Sequence, residues 1–168
     1  FYSRPPQLPE EEVLADIQQM GMALLQEQDY NQYEVSAFAR NGEHSRHNLN
    51  YWQFGDYLGI GAGAHGKITL PREQKEQLQI IRSNKTRQPD NYLSRDLATL
   101  AQQKPIPRDE LAMEFMMNGL RLRDGVPASY FSARTGLSPA TIENQVKSLQ
   151  SRGLLEQDPQ QYRATPLG

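Results

Sequence analysis

"DYLGIGAGAHGKITLP", residues 56–71, is the stretch on which the reading of the fold turns. Gly61 to Gly66 spell G-x-G-x-x-G, the pattern that opens many dinucleotide-binding domains. Such a site needs a strand, the glycine turn, then a helix whose N-terminus meets the pyrophosphate, with an acid about 20 residues further on. Asp56 to Ala64 reads as a buried strand with few side chains in its second half. No helix follows it, because Lys67-Ile68-Thr69-Leu70-Pro71 is β-like and closed by proline, and Thr86 stands where the acid belongs. The dinucleotide reading fails on context. Gly59, Gly61, Gly63 and Gly66 then mark places where a backbone or a ligand approaches closely.

Immediately upstream, residues 47–52 read HNLNYW. His44 and His47 form H-x-x-H in a polar loop, a weak metal signal without a third ligand of known position. A loop histidine is usually just solvated. His47, however, is followed by Asn48, Tyr51 and Trp52, the single tryptophan of the chain. An imidazole beside flat apolar rings suits axial ligation of a heme. The same rings also suit a core, and both readings stand at this point.

The bulk numbers narrow the classes. With 168 residues, 37% of them hydrophobic, and a net charge of −2, the chain has the length for one ordinary domain or two small ones. Mean hydropathy is −0.76, and no apolar run reaches the length of a membrane span. There is no cysteine, hence no disulfide, no thiolate nucleophile and no cysteine-ligated zinc or iron–sulfur cluster from this chain. "FYSRPPQLP" opens in what reads as a loop already under way, so the chain is expected to be a piece of a longer polypeptide.

Periodicity places the remaining elements. Val13, Leu14, Ile17, Met20, Leu24 and Leu25 fall at helical spacing after Glu10, Glu11 and Glu12. "YEVSAFA" (33–39) is β-compatible, and "KITL" with "QLQIIRSN" predicts two strands in a hairpin. Leu93 to Gln102 predicts a short helix, and Arg82, Lys85 and Arg87 read as a solvated loop. Pro105 and Pro107 suggest a boundary between residues 1–104 and 105–168. Beyond it come three helices: one through "RDELAMEFMMNGLRL", one over "PASYFSART", and one opened by Ser138 and Pro139. "LLEQ" and "QYRAT" then predict a small hairpin, completing a winged-helix pattern. A DNA-binding regulator is disfavoured there. Seven basic residues (Arg108, Arg121, Arg123, Arg134, Lys147, Arg152, Arg163) are matched by seven acidic ones (Asp109, Glu110, Glu114, Asp124, Glu143, Glu156, Asp158), which leaves no basic footprint.

"FYSRPPQLP", "YEVSAFA", "HNLNYW" and "DYLGIGAGAHGK", in that order, resemble the HemW family of radical S-adenosylmethionine (SAM) proteins. These were long labelled oxygen-independent coproporphyrinogen III oxidase-like and are now regarded as heme chaperones. "EFMMNGLRLRDGV", "TGLS", "LQSRGLL" and "YRATPLG" resemble the family's terminal winged-helix-like domain. The resemblance implies an α/β plus α+β fold: the last helix and strands of a partial (β/α) radical-SAM barrel with a β-hairpin extension, then the accessory domain. Val35–Ala39 and Leu58–Ala62 would be the last barrel strands.

It further implies heme binding at His47, Asn48, Tyr51 and Trp52, with His47 the axial ligand of the iron. SAM would lie near Leu49, Asn50, Gly61, Gly63 and His65. The [4Fe–4S] cluster would belong to the missing N-terminal half, so the chain alone is expected to be inactive in radical chemistry. Relatives continue past "TPLG", so the terminal domain is expected to be incomplete. The implied partners are heme, heme-recipient proteins, the missing half and possible copies pairing at the exposed sheet edge, all in the cytoplasm. The competing reading within the resemblance is an oxidase that decarboxylates coproporphyrinogen III.

Overall fold

Glu11 and Glu12 sit in the first turn of helix α1 (Glu11–Glu27), where carboxylates favour the positive end of the helix dipole. The computed structural model describes residues 6–71, 78–94 and 101–168, in two compact units, 1–44 and 45–168. In the first unit, α1 carries Val13, Leu14, Ile17, Met20 and Leu24 at helical spacing, yet none of its residues is buried. Strands β1 (Asn31–Glu34) and β2 (Ala37–Ala39) follow as an antiparallel pair with a bulge between Gln32 and Glu34. The single strand expected over Val35–Ala39 is therefore a turn and a strand. The Glu34 carboxylate accepts the Ser36 N–H at 2.9 Å and closes that turn.

The second unit is built on a three-stranded antiparallel sheet, β3 (His65–Pro71), β4 (Leu78–Lys85) and β5 (Ala101–Pro105), in the order β3-β4-β5. Ile68 faces Ile81, and Arg82 faces Lys104. Helix α2 (Arg46–Trp52) precedes the sheet, and α3 (Pro89–Leu93) lies between β4 and β5. Helices α4 (Leu111–Gly119), α5 (Ala128–Thr135) and α6 (Glu143–Ser151) complete the unit. Ser138 Oγ accepts the Ala140 N–H at 3.4 Å, but the turn it opens, Pro139–Thr141, is a 3-10 turn, and α6 starts only at Glu143. Strand β6 (Val126–Pro127) pairs with β7 (Gln161–Tyr162), and a bridge joins Leu155 to Ala164.

A chain of edge-to-face rings runs through the core. Phe54 meets Phe115 at 5.8 Å, Phe115 meets Phe131 at 5.3 Å, and Phe131 meets Tyr162 at 6.4 Å. Ile80, Ile106, Leu111, Val126, Leu137 and Ile142 fill in around them. The Pro105/Pro107 segment packs with the residues on both sides of it. Ile106 belongs to this core, and its N–H donates to the Ile80 carbonyl at 2.9 Å.

Three further expectations need correcting. Leu58–Ala62 is not a strand: Leu58 and Ile60 are 76% and 85% exposed, and the bridge to β3, at Lys67, comes from Tyr57, just before this segment. All ladders among the described residues are antiparallel, so none supplies a parallel barrel strand there. The helix expected over Leu93–Gln102 falls partly outside the described residues; Leu93 ends α3, and Ala101 and Gln102 open β5. Finally, Arg82 and Lys85 lie in β4 rather than a loop, and Arg82 pairs with Glu114 at 2.8 Å.

Candidate functional site

Ser45 starts the site. Its Oγ accepts the Asn48 N–H at 3.3 Å, capping the helix HNLNYW belongs to. One helical turn separates His47 from Tyr51, so their rings meet edge-on at 5.2 Å. Tyr51 in turn stacks on Tyr57 at 4.0 Å and meets Trp52 at 6.2 Å. His47 is exposed, whereas Asn48, Leu49, Asn50, Tyr51 and Trp52 are half-buried. An exposed imidazole therefore stands at the end of a row of rings.

The turn after α2 fixes that row. Gly55 N–H donates to the Asn50 carbonyl at 2.7 Å, and Asn50 Nδ2 donates to the Asp56 carbonyl at 2.8 Å. Asn50 thus spends its amide on the backbone. Phe54 takes φ +61° in this turn, a conformation that costs a non-glycine residue about 1 kcal/mol. Its ring, buried in the core, offsets that cost.

Trp52 is held from a distant part of the chain. The Arg121 guanidinium lies 4.2 Å over the indole ring. The indole N–H is buried with no acceptor among the described residues. Leaving such a donor unsatisfied costs about 1–3 kcal/mol, so packing around the ring must outweigh it.

The glycine stretch turns out to be a crossing of two backbones. A Cβ on Gly59 would fall on the His65 carbonyl, and one on Gly66 would lie 2.7 Å from Ser83 Oγ. Tyr57 and Lys67 exchange both backbone hydrogen bonds at 2.9 Å beside this crossing. Gly61 (φ +105°) donates its N–H to the Tyr92 hydroxyl at 3.1 Å, and Gly63 (φ +72°) to the Thr86 carbonyl at 2.7 Å. His65 opens β3, exposed and opposite Asn84. The residues expected near SAM therefore divide: Leu49 and Asn50 lie on α2, and Gly61, Gly63 and His65 on the loop into β3.

Below the row of rings, Lys67 is buried. Its ammonium donates to the Phe54 carbonyl at 3.0 Å, lies 4.0 Å from the Phe54 ring centre, and pairs with Asp56 at 3.5 Å. Asp56 also accepts the Thr69 N–H and hydroxyl, both at 2.8 Å. Burial holds the Lys67 ammonium below the usual lysine range, and Asp56 opposes that shift.

Burial first, then the neighbouring Tyr51 hydroxyl, pushes the Tyr57 phenol above the usual tyrosine range. A raised folded-state pKa means its stabilising contribution is fully present below pH 10.0 and is lost as pH rises further. Denaturant titrations of Tyr57→Phe and the parent between pH 9 and 11, about one pH unit either side of that value, should therefore show the smaller alkaline loss in the variant.

No group of three His, Cys, Asp or Glu side chains suited to a metal occurs among the described residues. His44 lies in the first unit, stacked on Tyr33 at 4.4 Å, and His47 in the second. What the site offers is one free-standing imidazole and aromatic surface, the donor set an iron porphyrin needs from one side. Sequence reasoning missed Tyr57, Lys67, Tyr92 and Arg121. Nothing local marks Arg121; the buried place of Lys67 follows only from the alternation of "GKITL" once β3 is paired.

The chain is 40% identical to the heme chaperone HemW of Escherichia coli over 168 residues, which is 100% of this chain and 43% of that protein. By sequence, this chain is HemW-like. Heme chaperone HemW of Haemophilus influenzae is 44% identical over 146 residues, 87% of this chain and 36% of its own length. A mitochondrial radical S-adenosyl methionine domain-containing protein 1 of Bos taurus is 35% identical over 88% of this chain and 34% of its own length. Residues 106–168 match the HemN C-terminal domain family. Among solved structures, coproporphyrinogen III oxidase (HemN) of Escherichia coli, a radical SAM enzyme, shares the fold. Its TM-score is 0.59 at 16% identity, over 94% of this chain and 38% of that one. The chain thus spans about two-fifths of the length of the HemW proteins it matches. Among the described residues, no helix is long and apolar enough to cross a membrane.

Proposed function

We propose that the chain carries the heme-holding part of a heme chaperone, binding heme through His47 and passing it to heme-requiring proteins. One observation carries this reading: an exposed His47 imidazole on a capped helix, edge-on to Tyr51, which is itself stacked on Tyr57. The similarity to proteins named heme chaperone supports the same cargo. Asn48 and Trp52 complete the site as residues that shape α2 rather than ligate iron.

Relatives that carry the radical SAM name support SAM and an iron–sulfur cluster in the whole protein. This chain supplies no cysteine for the cluster. Its own contribution to SAM would be Leu49 and Asn50 on α2, with the Gly61, Gly63 and His65 loop. We read residues 1–104 as carrying the C-terminal part of a partial barrel with its β-hairpin extension, and residues 105–168 as a winged-helix-like accessory domain. The exposed stripe of α1 and the β2 edge would then be covered by the rest of the protein or by another copy, in the cytoplasm. The oxidase reading draws on the shared fold with HemN and on the HemN C-terminal domain match, and nothing in the site favours it.

Hemin titration tests the proposal. His47→Ala is expected to weaken hemin binding by about tenfold or more, a loss of about 1.4 kcal/mol, and to shift the Soret band. An unchanged Soret band and affinity would remove His47 as the ligand.

A further inference from the structure

Residues 106–168 reach back to the heme motif and the turn after it at several points, among them Arg134, whose Nη1 donates to the Gln53 carbonyl at 2.7 Å. Phe115 meets Phe54 just after α2, and Arg121 covers the ring of Trp52 within α2. Arg121 is well placed to act as a fixed point. Its N–H donates to the Asn118 carbonyl at 3.2 Å in the turn after α4, and the next residue, Leu122, is buried. Trp52 cannot be held by its own hydrogen bond, since its N–H finds no acceptor among the described residues. The face of the indole under the guanidinium is also closed to a porphyrin. The exposed residue of the motif is His47, with the half-buried Tyr51 ring beside it.

We propose that Arg121 is a positioning residue for heme. By lying over Trp52 it fixes the orientation of α2, and so the direction in which His47 is presented, which makes the HemN C-terminal domain part of the heme site. This rests on the reading of His47 as the iron ligand. A planar guanidinium suits the role because it stacks on the indole face and keeps its charge at all physiological pH values.

Trp52 is the single tryptophan, so its fluorescence reports on this contact without any ligand. Arg121→Gln is expected to shift the emission to longer wavelength, raise acrylamide quenching, and weaken hemin binding about three- to tenfold. Arg121→Lys, which keeps a cation over the ring, is expected to recover at least half of each change. Circular dichroism melts identify a variant that has lost its fold, and in that case the lysine variant decides. Parent-like emission and hemin affinity in a folded Arg121→Gln would overturn the proposal, as would Arg121→Lys behaving like Arg121→Gln. The two readings fail separately. His47→Ala should leave Trp52 emission unchanged in the absence of hemin, and normal hemin binding by that variant defeats the ligand assignment whatever Arg121 does.

Discussion

Phe54→Ala is expected to destabilise the second unit by about 3–5 kcal/mol, the usual cost of emptying a phenylalanine site in a packed core. Phe54 is 1% exposed and contacts Phe115 edge-to-face at 5.8 Å. Alanine would keep the strained φ of +61° while losing the contacts that offset it. Nor can the site collapse easily, because the Lys67 ammonium lies over the ring and is anchored by the Phe54 carbonyl. Thermal unfolding followed by circular dichroism should show a fall in Tm of roughly 10 °C or more. A fall of only two or three degrees would mean that Phe54 is a surface plug and not the joint between α2 and the helices that follow.

The second large effect concerns the buried ammonium. Among the described residues, Asp56→Ala leaves Lys67, 4% exposed, with the Phe54 carbonyl and ring, and removes the acceptor of the Thr69 N–H and hydroxyl as well. Breaking a fully buried pair costs about 3–5 kcal/mol; because Asp56 is 44% exposed, about 2–3 kcal/mol is expected. Lys67→Met in the same background should restore most of the loss, since a thioether chain of similar length fits the apolar contact with Phe54 without needing a counter-charge. Urea melts of the parent, the two single variants and the double variant measure the coupling. Strict additivity of the two substitutions would show that Asp56 acts on Thr69 alone. The sign with pH follows from the depressed Lys67 pKa: the contribution of Lys67 is fully favourable above pH 10.5 and is lost as pH falls through the folded-state value.

What could be read from the residues follows from how local each signal is. Pro71 and the β-branched Ile68 and Thr69 made a helix after Gly66 untenable, and β3 occupies that place. Gly136 ends α5, and Ser138 caps the 3-10 turn ahead of α6, by cap chemistry that acts within a few residues. The loop 58–64 departs from its strand-like pattern for the complementary reason. An apolar, glycine-rich run looks like a strand, but its hydrogen bonds go to the Tyr92 hydroxyl and the Thr86 carbonyl, partners that no local pattern announces. The HNLNYW motif was legible as a set of residue types. Its support was not, because Arg121 and Tyr57 are joined to it only through tertiary packing.

The ring chain from Phe54 to Tyr162 also separates two meanings of the word domain. The HemN C-terminal domain match draws its line at Ile106. Packing draws its line at Ser45, because Phe54 and Ile80 belong to the same core as Phe115 and Phe131. A fragment cut at the homology line would expose the apolar seat of Phe54 and lose the strand that Ile106 continues. The stretch that the family match covers, 106–168, is therefore shorter than the unit that packs around one core.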